Sequence, residues 1–277
     1  MYCRANFAEL NDTERARLAR AFNDVEARDL IASFAEEHDV GFENGIHRGP
    51  AFLPWHRHFL LRMEAEMRKT EPLVTIPYWD WTRADSRDLD DGGIWESFFG
   101  GRSNTGGQFD DWDYTRRSTP RGGLPTMDTV LDEIGAPNYT AFRAMEFGTH
   151  VPGHVWTGGT MVTGASPGDP LFYLHHANVD RLWAIWQLNH ENEAQYSLDD
   201  CDGCLRWEPA FVPLHSPMVG VAATPASMLE LHALGYYYSP DRRLERRAEE
   251  LGNPGLSTSF EDLLSSALIG VFDNLLS

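Results

Sequence analysis

The chain has 277 residues, 42% of them hydrophobic, enough for one large packed core or two small ones, and its formal net charge of -19 disfavours nucleic acid and anionic membrane as partners. No apolar run approaches the roughly 18–20 residues that span a bilayer. The start Met1-Tyr2-Cys3-Arg4 lacks the charged and apolar regions of a secretory signal, so the expected location is cytoplasmic, or outside the cell by a route the chain's own sequence does not show. Three cysteines are too few for a disulfide framework, and Cys201-x-x-Cys204 reads as a local disulfide or two free thiols rather than a zinc site.

In chain order, Leu10, Leu18, Phe22, Val25 and Leu30 recur among charged residues and predict an amphipathic helix from about Asn11 to His38. Leu53-Pro54 opens a second helix through His56 towards Lys69, because proline is tolerated in a first helical turn. Leu73-Val74-Thr75-Ile76 is a short strand-like piece, and little else suggests a sheet. Between Arg83 and Asn138 the Gly, Asp, Ser and Pro residues predict a loop-rich insertion rather than a domain boundary. His150 and His154 are four apart and share one face of a helix starting around Pro152-Gly153. Asp169-Pro170 predicts the cap and first turn of a third long helix, reaching about Asn189. Ser259-x-x-Asp262 then resembles a capping box, and Phe260, Leu263, Leu264, Ala267, Leu268, Val271 and Leu275 follow at helical spacing, a stripe that must be buried on something. The expected organisation is a mainly α catalytic domain over 1–240 and a C-terminal helical tail over 241–277.

The chemistry lies in where the 11 histidines cluster. His38, His47 and His56 precede or open the second helix; His150, His154 and the pair His175-His176 accompany the third. Imidazole suits copper, zinc, iron and nickel, and the clusters contain no carboxylate or cysteine at ligand spacing, which argues against zinc peptidases and di-iron carboxylate bundles.

Two segments carry a resemblance. His47-Arg48-Gly49-Pro50-Ala51-Phe52-Leu53-Pro54-Trp55-His56-Arg57 resembles the first copper-site signature of the tyrosinase and catechol oxidase (polyphenol oxidase) family, and Asp169-Pro170-Leu171-Phe172-Tyr173-Leu174-His175-His176-Ala177-Asn178-Val179-Asp180-Arg181-Leu182-Trp183 resembles the second. Ile76-Pro77-Tyr78-Trp79-Asp80-Trp81, His154-Val155-Trp156-Thr157-Gly158-Gly159 and Gly235-Tyr236-Tyr237-Tyr238 resemble further family segments in the expected order, the last of which would pack against Arg4. Such a resemblance implies a four-helix bundle holding a dinuclear type-3 copper site, with long irregular loops and little sheet. It assigns His38, His47 and His56 to one copper ion and His150, His154 and His176 to the other, with His175 turned about 100° away around the helix. Dioxygen would be the co-substrate.

The implied activity is oxidation of phenols and o-diphenols to o-quinones, diphenol oxidation exceeding monophenol hydroxylation; the rivals are an o-aminophenol oxidase on the same coppers and a haemocyanin-like oxygen carrier. Glu146 matches a glutamate that holds a water near the site, and Val151 stands where monophenol-hydroxylating members often have asparagine. Phe172 would pack near the ligand rings, Arg57 and Asp180 could form a buried pair, and Gly164 falls where small residues leave the bacterial site open. Gly45 replaces the cysteine that forms a thioether in many fungal and molluscan members, so no such bridge is expected. The expected partners are a small phenolic substrate, with room for a copper chaperone and for a homo-oligomer formed through the C-terminal helix.

Overall fold

The computed structural model describes residues 1–90, 92–198 and 211–258. Asn11 begins the first helix reciprocally: its side chain accepts from the Glu14 N–H while the Glu14 carboxylate accepts from the Asn11 N–H. The single helix expected from Asn11 to His38 is two, α1 (Asp12–Glu26) and α2 (Leu30–Glu43). The break lies at Asp29, held in the left-handed region at φ 57, a conformation that aspartate tolerates and a continuous helix excludes. Because the chain turns there, α1 buries Leu18, Phe22 and Val25 while α2 buries Ile31, Phe34 and His38.

The remaining described helices are α3 (Phe52–Met67), α4 (Ile94–Phe99), α5 (Met127–Ile134), α6 (Tyr139–Phe142), α7 (Val151–Thr157), α8 (Leu171–Asn189), α9 (Leu231–Leu234) and α10 (Arg242–Glu250). Asp169 caps α8 by accepting from the Leu171 N–H at 2.9 Å, and its carboxylate is fixed in turn by Arg116 at 2.7 and 2.8 Å. Every residue of α8 from Leu171 to Trp186 is buried, so this is the central helix of a helical bundle rather than an amphipathic surface one. The insertion between Arg83 and Asn138 is loop-rich as expected, yet it is no passive appendage. Its Trp95, Phe98, Phe99 and Phe109 are buried, the first three with ring centroids 4.6–5.4 Å from Phe7.

The only sheet among the described residues is a parallel pair, β1 (Tyr2–Arg4) with β2 (Tyr236–Tyr238), in the register Tyr2 to Tyr236 and Arg4 to Tyr238. Leu73-Val74-Thr75-Ile76 forms no strand. Its Ile76 N–H is taken at 3.0 Å by the Glu64 carboxylate, a side-chain acceptor that replaces a neighbouring strand. The β1–β2 pairing seats Arg4, fully buried, between Glu64 (2.9 and 3.0 Å) and Asp180 (2.9 Å), with its guanidinium 3.9 Å from the Tyr236 ring centroid. Asp180 also accepts from Arg57 Nε at 2.5 Å and from the hydroxyls of Tyr236 and Tyr238 at 2.6 Å each. The network therefore ties both termini of the core to the two central helices, α3 and α8.

Residues 241–258 continue onto the same core: α10 buries Leu244 and Ala248, Asp241 pairs with Arg181 at 3.2 Å, and Arg247 meets Asp128 on α5. The apolar stripe from Phe260 to Leu275, like Cys201 and Cys204, lies outside the described residues. No described helix is long and apolar enough to cross a membrane.

Candidate metal centre

Helix α2 supplies His38 and α3 supplies His56; His47 comes from the loop that joins them. Opposite, His150 ends a π-helical turn over Glu146–His150, His154 lies on α7 and His176 on α8. The wide turn has a cause in Pro152: its ring would strike the carbonyl four residues earlier in a regular α-helix, and π geometry moves that carbonyl away. The histidine rings His150 and His154 consequently end 4.6 Å apart.

Hydrogen bonds fix which nitrogen of each ring carries the proton. Backbone carbonyls can only accept, so Nδ1 donates in four cases: His38 to Gly164 O at 2.6 Å, His56 to Phe52 O at 2.8 Å, His150 to Glu146 O at 3.1 Å and His154 to Met161 O at 2.5 Å. His47 Nδ1 instead donates to the Glu146 carboxylate at 3.0 Å. What remains on each of these five rings is an Nε2 lone pair. His38 Nε2 stands 3.2 Å from His56 Nε2 and 3.4 Å from His47 Nε2, and His154 Nε2 stands 3.2 Å from His176 Nε2. In the first group these are lone pairs facing one another, which repel unless a cation lies between them, and all three spacings suit nitrogens that share one ion at about 2.0–2.1 Å.

The donor set fits copper. His150 Nε2 is buried without any hydrogen-bond partner in the protein, a cost that a metal ion would remove. Burial holds all the rings neutral, pushing His38 and His154 down to about 4 and His47, His56, His150 and His176 well below 6.5. Two groups of ligand nitrogens result, His38/His47/His56 and His150/His154/His175/His176. They face each other through His56 and His176, whose rings stack at 4.4 Å.

His175 is thus closer to the second group than its helical angle suggests. It is fully buried and stacked on His150 at 5.3 Å. Room for it exists only because residue 153 is glycine: a Cβ there would lie 2.3 Å from His175 Cε1. The adjacency of the two histidines was the available signal. The Gly164 and Met161 carbonyls left none, because a main-chain acceptor is independent of residue type. The Gly164 carbonyl orients His38, and a Cβ at this position would meet Asp39.

A cavity of about 220 Å³ opens from the surface onto His38, His47, His150 and His154, walled by Phe42, Arg48, Glu146, Phe147, Val151 and Val155, with Met161 to Thr163 and Ser166 behind. Val151 therefore reaches the space that a substrate would occupy. Phe172 does not: it is fully buried with its ring 4.1 Å from His176 and 5.2 Å from His38, packed against the ligand rings away from the cavity. Glu146, 5% exposed, accepts from the Arg48 N–H at 2.9 Å on each oxygen besides its bond to His47.

The family model for the common central domain of tyrosinase matches residues 28–133 and 101–189. A tyrosinase of Streptomyces lincolnensis is 33% identical over 239 residues, a match covering 73% of this chain and 84% of that protein. Among solved structures, a functional unit of octopus hemocyanin matches with TM-score 0.59 at 22% identity over 91% of this chain and 73% of its own. A latent aurone synthase (polyphenol oxidase) matches with TM-score 0.63 at 19% identity over 87% of this chain and 58% of its own.

Proposed function

The chain belongs to the tyrosinase family of type-3 copper oxidoreductases, and from that premise we propose that it oxidises o-diphenols to o-quinones with dioxygen far more readily than it hydroxylates monophenols. In this reading His38, His47 and His56 hold one copper and His150, His154 and His176 the other. The copper pair, when bound, supplies dioxygen activation and takes the substrate's electrons.

The protein's own part is to admit the ring, orient it and handle its proton. The cavity wall of Phe42, Phe147, Val151 and Val155 offers apolar contact to an aromatic ring whose hydroxyl points at the histidines. A monophenol holds its proton with a pKa near 10 and needs a base to release it before attack. Val151 carries no hydrogen-bonding group, and Glu146 is engaged by His47 and Arg48. Catechols are easier to oxidise and need less help, so they are favoured. Phe172 contributes by packing the rings of His38 and His176.

The observation that carries this preference is Val151 on the cavity wall. That the cavity opens to solvent directly over the histidines favours an enzyme over an oxygen carrier. Tyramine and dopamine turnover compared in the parent and in Val151→Asn tests it: the variant gains tyramine turnover relative to dopamine. Efficient tyramine turnover by the parent, or an unchanged ratio, overturns the assignment.

A further inference from the structure

Of the five metal-centre histidines whose Nδ1 proton has an identified acceptor, four donate to neutral backbone carbonyls and one, His47, to a carboxylate. His47 is also the ring least constrained by local backbone. His38, His56, His154 and His176 ride on helices and His150 on a π turn, whereas His47 sits in the loop between α2 and α3. Only 10% of its side chain is exposed, against 6% for Glu146.

We propose that Glu146 is a positioning residue for the first copper: its carboxylate, accepting at 3.0 Å from Nδ1, locks the His47 ring with Nε2 aimed at the metal. The inference rests on the copper-site reading above and deepens it. The carboxylate is itself clamped by a backbone arranged for the purpose. Arg48 occupies the left-handed region at φ 65, a costly conformation for arginine, and in it the Arg48 N–H reaches both Glu146 oxygens at 2.9 Å. Glu146 in turn begins the π turn that ends at His150, and its carbonyl accepts from His150 Nδ1 at 3.1 Å. One residue thus orients a ligand of each triad, through its side chain for His47 and its main chain for His150, so a substitution at Glu146 removes the first contact and leaves the second.

A carboxylate behind a ligating imidazole fixes the tautomer and raises the ring's basicity, and losing such a partner typically costs about 10- to 100-fold in metal affinity. The test is copper retention by the loaded protein under a graded series of competing chelators, read by metal analysis, for the parent, Glu146→Gln and Glu146→Leu. Glutamine keeps an acceptor without the charge; leucine keeps neither. The expected result is that one copper of the two weakens in the order parent, Gln, Leu, by about 10- to 100-fold for Leu, while the second copper stays as in the parent. In a His47→Ala background, Glu146→Leu should have no further effect, which a general packing role would not predict. Equal loss of both coppers, undiminished retention in Glu146→Leu, or a full effect in the His47→Ala background each overturns the proposal. A parent that binds no copper overturns the copper-site reading itself.

Discussion

Asp180 is where the structure concentrates the most buried charge, and replacing it gives a magnitude that can be worked out in advance. Its carboxylate receives Arg57 Nε at 2.5 Å, Arg4 Nη1 at 2.9 Å and two tyrosine hydroxyls at 2.6 Å. After Asp180→Ala, Arg4 retains the Glu64 carboxylate at 2.9 and 3.0 Å, so its charge stays compensated. Arg57 keeps only the neutral acceptors Gln187 Oε1 at 3.0 Å and Met228 O at 2.8 Å. One uncompensated buried cation costs about 3–5 kcal/mol, which at about 2–4 °C per kcal/mol lowers Tm by on the order of 10 °C. Asp180→Asn, keeping one acceptor oxygen, should fall between. Burial alone would raise the carboxyl's pKa; Arg57 and Arg4 outweigh it and hold it below 3.8. A depressed folded-state value means that this stabilisation is present above about pH 4 and is lost as pH falls through the folded-state pKa, so parent and variant should converge in acid. Thermal unfolding of the metal-free proteins, followed by circular dichroism at pH 7, reads the loss. A Tm change under about 2 °C would refute the reasoning.

The metal-free parent should lose stability steeply between about pH 6.5 and 4. Its buried histidines, with His38 and His154 pushed down to about 4, resist protons that the unfolded chain binds, each adding up to about 1.4 kcal/mol per pH unit; urea unfolding at pH 7, 6 and 5 checks it, and a flat profile sinks it. Gly153→Ala forces a methyl to within 2.3 Å of His175 Cε1 and should cost about 1–3 kcal/mol while loosening only the copper near His150 and His154; unchanged Tm and copper content would show that the helix gives way freely. Truncation after Thr258 keeps the buried Leu244 and Ala248 and removes the stripe from Phe260 to Leu275, and Tm should fall as that apolar area is lost. An unchanged Tm with a smaller assembly mass would make the stripe an interface between copies, and a gain in activity would make it a cover over the cavity.

What the sequence disclosed depended on how far apart in the chain the interacting groups lie. Helix α8 is nearly continuous in its own signals, with Asp169 as cap, Pro170 after it and apolar residues on every face, so its bounds were readable to within a residue or two. The division of the first helix was hidden because Leu18, Phe22 and Val25 run on to Leu30 with no glycine or proline between, and only the backbone at Asp29 departs from helical geometry. The parallel pair β1–β2 joins residues more than 230 positions apart, and three-residue strands leave no alternation to detect.

The same rule divides the metal centre. Ligand histidines could be read because their spacing records a helical face, His150 with His154, or a motif, His47 through Arg57. What aims them could not: Gly164 O lies 126 residues from His38, and Glu146 lies 99 residues from His47. Glu146 also looked like a residue with one task, holding a water, while the fold gives its carboxylate two donors before any substrate arrives. On the proposed reading, the anchoring of His47 and the preference for diphenols are two consequences of one arrangement, and the Glu146→Gln variant separates them. If they share a cause, its first copper loosens and its tyramine turnover falls with copper occupancy; if they do not, tyramine turnover per bound copper drops while retention is unchanged.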